Sequence, residues 1–237
     1  MSRWIRCTAA ALMLGFLVSA PAVAADANYL AHGNPDLSSL IAPPPMPGSS
    51  AQEWDLQAVL AIQGSRSTAE VQLADADTHK SVFRFDSALG DNFNADKLPV
   101  TAAFFEKLTK QGAEPMKAVK AYWHRPRPYN SSTLVHPAIE TEGTSPSYPS
   151  GHATYAYLCA VVLANMVPEK RTEIFARAEL FAQGRVIGGV HYPTDVEAGK
   201  LSGTLIAAAM LQNPAFRSDL QQATRETRRV LGLPVLK

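Results

Sequence analysis

The sequence predicts an all-α protein: a single compact helical domain preceded by an extended, Pro-rich N-terminal arm. Three observations lead there. Beyond Ser50, apolar residues recur at spacings of three and four, as one buried face of a helix requires. No stretch alternates apolar and polar residues for long enough to make a sheet strand. Residues that start and stop helices stand at the ends of the periodic stretches.

In chain order, residues 1–24 read as an export signal to be removed. Arg3 and Arg6 give a positive start, Thr8 to Ala20 is apolar, and Ala22-Val23-Ala24 is a small-residue cleavage signature. Cleavage after Ala24 would place the mature chain in the periplasm or outside the cell. The apolar run is shorter than the roughly 20 residues of a permanent span. No later segment reaches that length without charges, so stable membrane insertion is not expected.

Residues 25–50 carry little pattern but include Pro43-Pro44-Pro45 and Pro47-Gly48, the mark of an extended arm. The helical domain then occupies residues 51–237. Trp54, Leu56, Val59, Leu60 and Ile62 define one helix; Val100, Phe104, Phe105 and Leu108 another; Met116, Val119 and Tyr122 a third. Ser150 can cap a helix running to about Met166, and Pro168 opens the next, which runs to about Ile187. Pro193 begins a helix that Asn213-Pro214 ends, and a last charged helix carries Leu220, Arg225 and Val230.

Charge and cysteine content narrow the function classes. Lys and Arg total 22 against 21 Asp and Glu; removing Arg3 and Arg6 with the signal leaves 20 against 21, close to neutral. Nucleic acid or an anionic membrane surface held by bulk charge is therefore not an expected partner. Cys159 is left alone once Cys7 departs with the signal, which removes intramolecular disulfides and multi-cysteine zinc sites from consideration. Its apolar neighbours Leu158, Val161 and Val162 mark it as a buried structural thiol.

Residues of catalytic type gather in three places, each at or near a predicted helix end. They are Lys120 with Arg127-Pro128, then Pro149-Ser150-Gly151-His152, then Arg185 with His191 and Asp195. The pattern resembles the three-part signature shared by bacterial class A nonspecific acid phosphatases, type 2 phosphatidic acid phosphatases and vanadium-dependent haloperoxidases. Lys120 and Arg127 have the required separation of six residues, whereas seven separate Lys117 from Arg125, so the register selects Arg127. Gly184 stands where the signature has Ser.

The resemblance implies a single site. Lys120, Arg127 and Arg185 would supply cations for a phosphate group, and Ser150 and Gly151, at a helix start, would add hydroxyl and backbone donors. His191 would be the nucleophile, Asp195 would orient it, and His152 would act as general acid and then base. The implied protein is an exported acid phosphatase acting on small soluble phosphomonoesters of broad range through a phosphohistidine. It needs no metal or cofactor, transfers phosphate to alcohols as a side activity, and forms a homo-oligomer, a dimer or higher. Phosphate or vanadate are the anions its site would hold. The alternatives are a vanadate-dependent haloperoxidase, or a soluble phosphatase of lipid phosphates.

Overall fold

The computed structural model describes residues 27–31 and 33–236; the expected signal segment and its cleavage point lie outside them. The described residues are helical, with no strand among them. A short α1 (Leu37–Leu40) precedes α2 (Ser50–Ser65), α3 (Thr68–Ala76), α4 (Asp86–Leu89), α5 (Pro99–Gly112), α6 (Glu114–Trp123) and α7 (Pro128–Ser131). The larger helices of the second half are α8 (Gly151–Met166), α9 (Arg171–Ile187), α10 (Pro193–Leu211) and α11 (Pro214–Val230). The starts at Gly151 and Pro193 agree with those read from the sequence, and Asn213-Pro214, read there as the end of one helix, also opens the next. Pro168 instead opens a single 3₁₀ turn, and α9 begins three residues later at Arg171.

The bundle is built around α8, which is buried on nearly every face and apolar all round, as a central helix must be. It packs against α10 and α9 and also meets α5 and α11. Two glycines bring α10 close to it. A Cβ at Gly199 would lie 2.5 Å from the Ser150 carbonyl oxygen, and one at Gly203 would collide with the Thr154 carbonyl and stand 2.8 Å from the Leu158 amide nitrogen. Both clashes are with backbone, so only glycine permits this separation. Because Ser150 and Thr154 flank His152, the close approach fixes the N-terminal turn of α8 against α10.

Residues 27–49 are sewn onto the bundle. The Tyr29 hydroxyl donates to Asp219 at 2.7 Å, its ring meets Phe216 edge-on at 5.1 Å, and Leu37 and Ile41 join the main core. Cys159 is fully buried and unpaired, and burial pushes its thiol up to about 12.

Candidate active site

Each element delivers its polar residues from a helix end. Lys120 lies in the last turn of α6, which His124 closes in the left-handed conformation at φ 48°. The chain then turns through Arg125 and Arg127 into α7. Ser150 is the N-cap of α8, its hydroxyl accepting from the Ala153 amide at 3.4 Å, and His152 follows in the first turn. Arg185 ends α9, and a turn through Gly189, at φ 74°, leads to His191 and into α10, where Asp195 sits in the first turn.

Main-chain hydrogen bonds bind these segments together. The Ser147 amide donates to the Arg125 carbonyl at 2.8 Å, the Ser150 amide to the Asp195 carbonyl at 2.9 Å, and the His191 amide to the Arg185 carbonyl at 3.2 Å. All eight residues expected from the sequence therefore meet at one end of the bundle. Arg127, Arg185, Ser150, His191 and Asp195 have no exposed surface there.

His191 is held at both ring nitrogens. Nδ1 lies 3.3 Å from Asp195 Oδ2, and Nε2 lies 3.3 Å from Arg127 Nη1. A carboxylate only accepts and a guanidinium only donates, so the consistent tautomer carries its proton on Nδ1 and an unshared pair on Nε2. Burial, then the charges of Arg127, Lys120 and Arg185, push the His191 pKa far down and keep the ring neutral. Asp195 is anchored in turn. Its Oδ2 accepts from Ser147 Oγ at 2.5 Å and from the Tyr192 amide at 2.9 Å, and its Oδ1 accepts from Arg125 Nη1 at 2.6 Å.

Three donors or proton carriers converge on one carboxylate, that of Glu142. Arg127 Nη2 donates to Oε2 at 2.6 Å, while Arg185 Nη2 stands 3.6 Å and His152 Nδ1 3.5 Å from Oε1. Two guanidinium groups and an imidazole thus face a single pair of carboxylate oxygens. Arg185 is under-satisfied even so: its Nε and Nη2 are buried without a hydrogen-bond partner. A buried unpaired guanidinium nitrogen is costly, and such costs persist where a ligand removes them.

His152 Nε2 lies 3.1 Å from the Thr78 carbonyl, which only accepts, so Nε2 carries the proton and Nδ1 faces the anion. Burial, Arg185 and Lys80 hold its pKa well below the usual histidine range. Burial and Arg127 push Lys120 down to about 8; its ammonium donates to the Pro146 carbonyl at 2.5 Å. A Cβ at Gly151 would meet nothing nearer than 3.9 Å, leaving open space beside the start of α8.

Several residues of the site are absent from the expected set. Arg125, which the spacing passes over in favour of Arg127, is buried. It bridges Asp195 to Asp55 at 2.6 Å each and lies over the Tyr192 ring at 4.1 Å. Tyr192 is thus buried, packed beneath a guanidinium. Thr78 and Glu142 contact the cations, and Ser147 supports Asp195. The Gly184 position also acquires a reason. A Cβ there would stand 3.2 Å from Ala74 Cβ, so its absence lets α3 press on α9. The loop after α3 carries Asp77 and Thr78, and Asp77 pairs with Arg177 at 2.5 and 2.9 Å.

Comparison with known proteins identifies a family for the chain. Residues 101–219 match the PAP2 superfamily. An acid phosphatase of Zymomonas mobilis is 30% identical over 205 residues, covering 84% of this chain and 77% of that protein. A non-specific acid phosphatase of Salmonella typhi is 34% identical over 193 residues, 77% of each chain. Among solved structures, a bacterial vanadium-dependent iodoperoxidase superposes with a TM-score of 0.57 at 18% identity, over 72% of this chain and 51% of that one. A transmembrane PAP2-type phosphatidylglycerolphosphate phosphatase of Bacillus subtilis gives 0.53 at 21%, over 74% and 89%. At such identities the two structures speak to fold alone. No helix among the described residues is long and apolar enough to cross a bilayer. With that fold, a match over half of its length and a 30% identical relative spanning most of it, the chain belongs to the PAP2 superfamily, among the acid phosphatases.

Proposed function

We propose that this protein is an exported acid phosphatase that hydrolyses small soluble phosphomonoesters through a phosphohistidine on His191. The observation that carries the reading is the Glu142 carboxylate, held by Arg127 and close to Arg185 and His152: the site already gathers its charges around an oxyanion. The substrate phosphate takes that place, with Lys120, Arg127 and Arg185 balancing the charge that spreads over its oxygens. The Gly151 amide donates from the helix start, and the Ser150 hydroxyl, which accepts as N-cap, keeps its own proton to donate.

The Nε2 pair of His191 forms the N–P bond as the P–O bond to the leaving group breaks. Asp195 holds the Nδ1 proton throughout, so the imidazolium character that develops is stabilised in place. A bound anion raises the depressed pKa of His152, and its Nδ1 then carries the proton passed to the leaving oxygen. Water next attacks phosphorus, His152 takes the water's proton, and phosphate leaves. The described residues contain no group of three or more His, Cys, Asp or Glu placed to hold a metal ion, and the steps above use only side chains and water.

Rapid quenching of enzyme with a chromogenic monoester, followed by mass spectrometry, should find phosphate on His191 and none in His191→Ala. Steady-state activity should survive EDTA. Turnover without a trapped phosphohistidine in single-turnover experiments would overturn the mechanism, and loss of activity in EDTA would overturn its metal independence.

A further inference from the structure

Beside the phosphate site lies a cavity of about 460 Å³, opening past Gly151 and His152 and lined also by Lys80, Lys110 and Lys117. Its floor is apolar, from Met116 and Leu158, which suits no particular charge. Its walls carry four lysines, Lys80, Lys110, Lys117 and Lys120, against two carboxylates, Glu106 and Glu142. Lys117 is engaged by Glu114 at 2.7 Å, but Lys80 and Lys110 have no ion-pair partner among the described residues. Lys80 Nζ stands 3.9 Å from the position of a Gly151 Cβ, as does Lys120 Cε, so the two lysines face each other across the helix start.

Lys80 is not a loose surface residue. It sits three residues after Asp77, which is pinned by Arg177 and by Arg84 at 2.9 Å, and two after Thr78, whose carbonyl holds His152. Burial lowers its pKa, with Glu142 acting against that shift. His152 must reach the leaving oxygen, so the leaving group extends into the cavity that His152 lines, toward Lys80.

We propose that this cavity is a second anion subsite, in which Lys80, with Lys110 beyond it, receives a phosphate carried by the leaving group. Terminal phosphates of diphosphates would thereby be preferred over monoesters of uncharged alcohols. The inference rests on the phosphatase reading above. In such a substrate Nε2 of His191 bonds to the terminal phosphorus, and the bond from that phosphorus to the bridging oxygen breaks. The electron pair leaves on the bridging oxygen, beside the Lys80 ammonium; water then cleaves the N–P bond and releases phosphate.

The test compares kcat/KM of the wild type, Lys80→Met and Lys80→Arg for pyrophosphate and adenosine diphosphate against phenyl phosphate and adenosine monophosphate. Lys80→Met should lose about ten-fold on the diphosphates, as expected for a charge-assisted contact at a partly open site. It should change less than about two-fold on phenyl phosphate, with Lys80→Arg restoring most of the loss. Equal losses on both substrate classes, or none on either, would overturn the subsite while leaving the phosphatase reading intact. A wild type that releases phosphate from none of the four would remove both.

Discussion

Replacing Glu142 by Ala should tighten the site for phosphate, because this carboxylate and the substrate compete for the same donors. One oxygen accepts from Arg127 at 2.6 Å and the other stands 3.6 Å from Arg185 and 3.5 Å from His152. The side chain is 36% exposed, so solvent screens the contact, while Arg127 is wholly buried. Exposed ion pairs contribute about 0.2 to 1 kcal/mol, and this short bond to a buried partner belongs near the top of that range. At about 1 kcal/mol the inward position of Glu142 is favoured roughly five-fold, and the apparent dissociation constant of a competing anion is raised roughly six-fold. Glu142→Ala should therefore lower the inhibition constant of inorganic phosphate and the KM of a chromogenic monoester by about that factor, and Glu142→Gln by less. Steady-state inhibition and calorimetric titration with phosphate would measure it. An unchanged or raised phosphate constant in a variant that melts normally would refute the competition.

The buried histidines make stability depend on pH. His152 and His191 have pKa values held below 6.5 in the folded chain, so beneath about pH 6.5 the unfolded chain binds protons that the folded one refuses. Stability should fall as pH drops from there, by up to about 1.4 kcal/mol per unit for each histidine. Millimolar sulfate, a dianion across this range, should raise both pKa values and so stabilise the protein more at pH 5 than at pH 7.5; an equal rise in Tm would count against this. With Lys120 at about 8, anion affinity should weaken as pH passes 8, and KM measured from pH 7 to 9.5 should show a limb that Lys120→Arg removes. Gly203→Ala should destabilise by about 1 to 3 kcal/mol, despite the roughly 1 kcal/mol of helix propensity it gains, because α8 backbone blocks the new Cβ. Thermal melts that show no loss would mean that α8 and α10 separate freely.

The sequence made the second half of the fold legible because helix ends there are written in local chemistry. Ser150 and Pro193 each mark a helix start, and Asn213-Pro214 a helix end, within a residue or two. The three motifs were legible by spacing. Helix α3 was missed although Ser67 and Glu70 form a reciprocal capping box, a local signal that could have been read. Other residues carried no such signal. Asp55 meets Thr194 across 139 positions of chain, and nothing near Asp55 in the sequence distinguishes it from a surface acid on α2. Glu142, Lys80 and Thr78 lie in loops outside the motifs, and only the folded bundle brings them to Arg127 and His152. Gly184 was visible as a departure, but its meaning lies in Ala74, on another helix.

The main-chain hydrogen bonds from Ser147 to Arg125, Ser150 to Asp195 and His191 to Arg185 tie the three motif segments into one knot. A knot of this kind tolerates changes in the strings between its crossings. Length variation should be borne in the exposed stretch around Thr141 to Thr144, and scarcely at all from Ser145 to His152 or Arg185 to Asp195. Paired substitutions drawn from two of the segments should likewise cost less together than the sum of their separate costs, since the first has already loosened what the second would break.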